Sequence, residues 1–268
     1  TMALSGLGGD ELFAGYDVFR QLPTVAEKNW LLSFPKEIRS LVGSGLKTLK
    51  PGIRSLKTSE LLKLDYFNLE HLYPVFRKSF FPNQVQKFLS SNSLIEDPVQ
   101  TIVQGLENYH EFESLPVLSR ISISEMKSYM QSVLLRDTDQ MAMAHALEVR
   151  VPFLDHELIE YAIHVNDKLK YPHSPKKLLI DSFDELLPDE LVNRKKMGFV
   201  LPWEQWMRGS LKSFVDERIE YLKNLPEFNA RALERLYSEF LSGKPTVNWS
   251  RIWMLVSLSD WLDRHGIY

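Results

Sequence analysis

The chain has 268 residues, 44% of them apolar and 12% aromatic, enough to bury a real core in one large or two modest domains. Its 32 basic and 35 acidic residues leave a net charge of −3, so no overall field draws nucleic acid or membrane. With no cysteine it has no disulfide, thiolate metal site or thiol nucleophile, and no window reaches the length of a transmembrane helix.

Taken in order, Met2-Ala3-Leu4 reads as the end of a buried strand, followed at once by a glycine turn at Ser5-Gly6-Leu7-Gly8-Gly9. Helical spacing predicts a helix over 10–22, with Asp10 and Glu11 in its first turn, where the macrodipole favours acids. Further helices are predicted over 36–49, 59–67, 69–80, 82–89, 98–112 and 115–135. Between Lys36 and Lys57 lie six basic residues against Glu37 alone, which fits a solvated face or a polyanion site.

The stretch Leu134–His156 changes character twice. Met141, Ala142, Met143, Ala144 and Ala146 suit a tightly packed helix, whereas Arg136, Asp137 and Asp139 bring charge onto the same helix. From Glu148 the spacing becomes two, as in an extended segment, with Glu148 and Arg150 on one side. Phe153-Leu154 is suited to plug a core, and Asp155 to cap a helix over 156–166. Helices over 176–187, 211–222, 230–242 and 249–265 complete a mainly α chain that carries the stump of an α/β sheet. His71, His110, His145 and His164 lack metal-ligand spacing, so no metal site is assigned, and His145 is expected to be partly buried.

Three segments could carry chemistry. The glycine turn between a strand end and a helix start lets backbone amides converge on an anion, although Asp10 and Glu11 then require a metal or basic residue nearby. It follows neither the P-loop nor the dinucleotide spacing. The loop Asn193–Phe199 is basic and has an apolar anchor in Phe199 and Trp203, an arrangement that fixes the Lys196 ammonium for a phosphate. The third is the Asp137/Asp139 helix with Glu148 and Arg150. Each, taken alone, also fits a purely structural role.

Together, SGLGGDELFAGY, LLRDTDQMAMAHALEVRVPFLDHELIEYA and KKMGFVLPWEQWMRG resemble, in order and spacing, the successive signatures of the asparagine synthetase C-terminal domain. The resemblance covers essentially residues 1–268. It implies the helical C-terminal lobe of an α/β, adenine-nucleotide-hydrolase-like (HUP-type) synthetase domain, with only a remnant of the parallel sheet. It also implies a ligase acting on aspartate and Mg-ATP (the cofactor set being ATP and Mg2+) through β-aspartyl-AMP, with ammonia released from glutamine by a separate N-terminal domain. By motif, Ser5 and Gly6 correspond to nucleotide contacts and Asp10 to the acid closing that loop. Lys196 corresponds to the residue steadying pyrophosphate, and Asp139 to an acid lining the cleft. Glu148 and Arg150 correspond to a structural ion pair beside the site.

There are two departures. Leu7 stands where family members carry an acid used during attack by ammonia. The SGGxDS pyrophosphate loop and the glutaminase cysteine are absent, so the chain is expected to be inactive by itself, and the sheet stump on a helical body makes it expected to be the C-terminal part of something longer. A cytoplasmic location and small-molecule substrates follow, with no nucleic acid or membrane partner; a homodimer is allowed. The alternatives are a related amide ligase acting on another substrate and a non-catalytic helical interaction module.

Overall fold

A computed structural model describes residues 1–91, 95–170, 174–183, 186–192 and 201–267. The chain divides into two compact units. The first comprises Thr1–Ser33, Tyr66–Phe76 and Pro98–Lys196; the second comprises Phe34–Asp65, Arg77–Asp97 and Met197–Tyr268.

In the first unit, β1 (Met2–Leu4) pairs in parallel with β2 (Glu148–Arg150), with Met2 opposite Glu148 and Leu4 opposite Arg150. Parallel strands need a long crossover between them, and here it runs through most of the unit. The strand is where the residue pattern placed it, but it is not buried: Met2 is 51% and Leu4 70% exposed. Among the described residues the sheet has only these two strands; Met2, Leu4, Glu148 and Arg150 are exposed, and Ala3 and Val149 are partly buried.

The helix predicted over 10–22 is two helices, Gly9–Leu12 and Val18–Ala26. The break comes from backbone conformation. Ala14 has φ +53°, and the Gly15 amide donates to the Asp10 carbonyl at 2.7 Å. The segment predicted over 115–135 is longer than its pattern, running as α-helix Val117–Glu125, a π-helical stretch Met126–Leu134 and α-helix Leu135–Met143. Ser124 and Ser128 donate their hydroxyls to the carbonyls of Arg120 and Ser124, competing with the regular ladder where the winding changes. The final turns are not tightly packed: Met141 and Met143 are 66% and 56% exposed, and His145 is exposed as well. Small apolar residues there satisfy helix propensity without finding a covering surface. The 98–112 prediction also divides, into Pro98–Glu107 and His110–Ser114. Leu12, Phe13 and Ala162 form a core with Met126, Phe153, Leu158 and Ile159 packed against it.

The second unit buries its apolar side chains between the helices Lys212–Asn224, Ala230–Leu241 and Trp249–Arg264, with Phe240, Ile252, Val215 and Leu222 fully enclosed. Asn229 and Asn248 cap the latter two, accepting from the amides of Ala232 and Arg251. The basic run forms a hairpin of helices Lys36–Leu49 and Ile53–Leu61; the second begins and ends earlier than the 59–67 prediction. Gly43 lets the two helices meet, since a Cβ there would lie 2.8 Å from Ser59 Oγ. Arg39 is buried and donates to the carbonyls of Phe34, Leu62 and Leu64, and Lys36 pairs with Asp65 at 2.8 Å. Part of the basic run is therefore structural.

Candidate functional site

The glycine turn leaves the carboxyl end of β1, and the Ser5 amide donates to the Arg150 carbonyl at 2.8 Å, continuing the parallel ladder by one step. In open α/β sheets this edge, beyond the strand ends, is where ligands are met. Two of the sequence segments are thus joined here by backbone hydrogen bonding. Their contact has a second layer. Gly8 has φ +93°, and a Cβ on it would come 2.5 Å from Leu154 Cδ2, while one on Gly9 would meet the Phe153 ring at 3.3 Å. The Phe153-Leu154 plug is therefore what the glycine turn rests on, and Asp155 follows it as the cap of the His156–His164 helix, accepting from the amides of Glu157 and Leu158.

Within the turn, Ser5 Oγ accepts the Leu7 amide at 3.4 Å and the Gly9 amide donates to the Gly6 carbonyl at 3.2 Å. Gly6 is exposed, with no atom within 4 Å of where a Cβ would stand. The amides of Gly6 and Gly8 have no partner among the described residues. This leaves a donor-bearing loop, open at Gly6 although Gly8 is buried, suited to phosphate or carboxylate oxygens.

Asp10 is held by Lys176, whose Nζ lies 3.1 Å from Asp10 Oδ2. This is the basic residue that two acids beside an anion-binding turn require. No spacing along the chain pointed to it, because it lies far away, in the turn just before the helix Lys177–Phe183. Glu11 is buried and accepts the Tyr16 hydroxyl at 2.9 Å. Burial first, and then the Glu11 charge, push the Tyr16 hydroxyl far above its ordinary range, so it stays protonated and donates to Glu11.

Glu148 and Arg150 form the expected ion pair at 2.8 Å, about 60% exposed on both sides, a geometry that contributes little to stability. Asp139 is exposed on the Leu135–Met143 helix and makes no hydrogen bond or ion pair among the described residues. Lys196, with the rest of 193–200, lies outside the described residues. Its downstream anchor is inside them: Trp203 stacks on Trp249 at 5.7 Å and contacts Trp206 and Trp253 at 5.6 and 4.6 Å within the second unit. Among the described residues no cluster of three metal-capable side chains occurs, and no helix is long and apolar enough to cross a membrane.

The chain is 25% identical over 266 residues to asparagine synthetase [glutamine-hydrolyzing] 1 of Bacillus subtilis, a match covering 97% of this chain and 40% of that protein. It is 26% identical over 269 residues to a putative asparagine synthetase of Mycobacterium tuberculosis, covering 100% and 39%. A protein named amidase chyE from Penicillium rubens is 26% identical over 241 residues, covering 81% and 34%. The chain thus spans about two fifths of the length of the first two relatives. No solved structure matches. The family profile described as asparagine synthase matches residues 1–263, and the chain belongs to that family.

Proposed function

We propose that this chain is the C-terminal part of an ATP-dependent asparagine synthase, a carbon–nitrogen ligase within a HUP-type synthetase domain. The aspartate side-chain carboxylate attacks the α-phosphate of ATP, forming β-aspartyl-AMP as pyrophosphate leaves. Ammonia, free or from glutamine, then attacks the activated carbonyl and AMP departs. The observation that carries this reading is the open Ser5–Gly6 turn at the carboxyl edge of the parallel pair, in a chain matched by the family over 1–263. Free glycine amides suit a nucleotide's phosphates, and magnesium would arrive bound to those phosphates. Ser5 and Gly6 contact the nucleotide, Asp10 closes the loop, Asp139 lines the cleft and Lys196 steadies the pyrophosphate as charge develops on it. Glu148 and Arg150 support the strand beside the turn.

The nitrogen donor would be an N-terminal glutaminase domain, and the enzyme would be cytoplasmic, with a homodimer allowed. With no cysteine and no SGGxDS sequence, these 268 residues by themselves should show neither glutaminase activity nor adenylation. In the full-length protein, aspartate-dependent ATP–pyrophosphate exchange is expected, and Lys196→Ala should reduce it by at least about 100-fold. Near-normal exchange in Lys196→Ala would remove that lysine from its role, and clear exchange by the isolated chain would refute the assignment of inactivity. Leu7, with the similarity to a protein named an amidase, favours a second reading: a related amide ligase whose acceptor is not aspartate. Exchange supported by another carboxylic acid and not by aspartate would select it.

A further inference from the structure

We infer that Lys176 is the positioning residue for Asp10, fixing that carboxylate at the start of the helix that follows the Ser5–Gly6 turn. The inference rests on the ligase reading above. Asp10 is confined from two sides. On one, Lys176 Nζ stands 3.1 Å from Asp10 Oδ2, with the two side chains only 33% and 23% exposed, so their attraction is less screened than that of a surface pair. On the other is Gly15: a Cβ there would lie 2.0 Å from Asp10 Oδ1 and 2.8 Å from Asp10 Cα, and its amide is already bonded to the Asp10 carbonyl. Only a glycine at position 15 leaves room for the Asp10 carboxylate where it stands.

The backbone that delivers the ammonium is strained. Lys176 has φ +61°, a left-handed conformation unfavourable for a side chain with a Cβ, and Ala14 on the facing turn has φ +53°. The Lys176 amide donates to the Phe13 carbonyl at 2.9 Å, tying the two strained turns together. The adjacent Lys177 pairs with Asp181 along its own helix, as an ordinary helical lysine does. A part-exposed ion pair offsets no more than one left-handed residue costs, so stability alone does not account for the arrangement. Strained backbone at Lys176 and Ala14, beside one carboxylate next to an anion-binding turn, is the pattern of a pre-organised site. Chemically, the ammonium neutralises an acid that would otherwise repel the approaching phosphates, while keeping it in place.

The test is the kinetics of aspartate-dependent ATP–pyrophosphate exchange in the full-length protein. Lys176→Gly suits the left-handed backbone and so preserves the turn while deleting the charge. It is expected to lower kcat by about 10–100-fold with KM for aspartate changed only slightly, as misplacement of a reacting centre does. Lys176→Arg should recover most of the loss. Wild-type kcat in Lys176→Gly, or a Lys176→Arg variant no better than Lys176→Gly, would overturn the inference and leave the ligase reading intact. If the wild type itself shows no exchange with aspartate, the ligase reading fails first. The pairing is then decided by urea unfolding of the full-length protein as Asp10→Asn, Lys176→Gly and the double variant. A double variant no less stable than the weaker single variant supports the pairing; fully additive losses refute it.

Discussion

The Lys170 ammonium nitrogen lies 2.6 Å from the Ser119 hydroxyl, and both side chains are closed off from solvent inside the first unit. Ser119 in turn donates to the Ile163 carbonyl. Burial pushes the Lys170 amine down to about 8 from an ordinary 10.5, with Asp167 acting weakly in the opposite direction. A lysine whose folded pKa is depressed holds its proton more weakly than the unfolded chain does. Its charging penalty is therefore present in full below pH 8 and disappears as pH rises to 10.5. The penalty is about 3 kcal/mol. Lys170→Met should abolish this dependence. Urea unfolding of both proteins between pH 7 and 10.5 checks it, and a stability difference that stays constant across that range would refute it.

Gly43 and Gly45 sit on one helix with opposite surroundings. A Cβ on Gly43 would crowd Ser59 at 2.8 Å, whereas one on Gly45 would meet nothing within 4 Å. Gly43→Ala should destabilise by about 1–3 kcal/mol through forced separation of the hairpin. Gly45→Ala should stabilise by about 0.5–1 kcal/mol through helix propensity. Thermal melts of the two variants should move in opposite directions.

Arg39 ties the same hairpin to its flanking segments through three carbonyls, at 3.1, 3.0 and 2.7 Å. Arg39→Met strips donors from those carbonyls and should cost about 2–4 kcal/mol. Lysine lacks the planar fork and should recover less than half of that loss, so equal stability of Arg39→Lys and wild type in denaturant would contradict the account.

Asp155 accepts two amides at the start of the His156–His164 helix, at 3.0 and 3.3 Å. Asp155→Ala should cost about 1 kcal/mol, and Asp155→Asn should retain most of the cap. Equal melting temperatures for Asp155→Ala and wild type would exclude the cap as a source of stability.

That cap was legible beforehand because capping is local: an acid, then a helical pattern, within a few residues. The Lys36–Leu49 helix was legible for the same reason, and its bounds match the pattern despite two internal glycines. The break at Phe13–Asp17 was not, because the apolar spacing of Leu12, Phe13, Tyr16 and Phe19 continues across it. What interrupts the helix is a left-handed alanine at position 14, just after a carbonyl, that of Phe13, which accepts the amide of Lys176, a partner far away in the chain. The exposure of Met141 and Met143 was illegible for a related reason: an apolar run records a tendency to pack, not the presence of something to pack against.

By itself, then, the order of residues determined where the strands and most helices lie, where the glycine turn and the cap fall, and which family the chain resembles. All of these depend on interactions within a turn or two of backbone, or on motifs read along the chain. Only the tertiary structure decided that Ser5 bonds to Arg150, that Phe153 and Leu154 seat the glycine turn, and that Lys176 meets Asp10. Coulomb attraction and close packing act through space, and distance in space is set by the folded path of the whole unit.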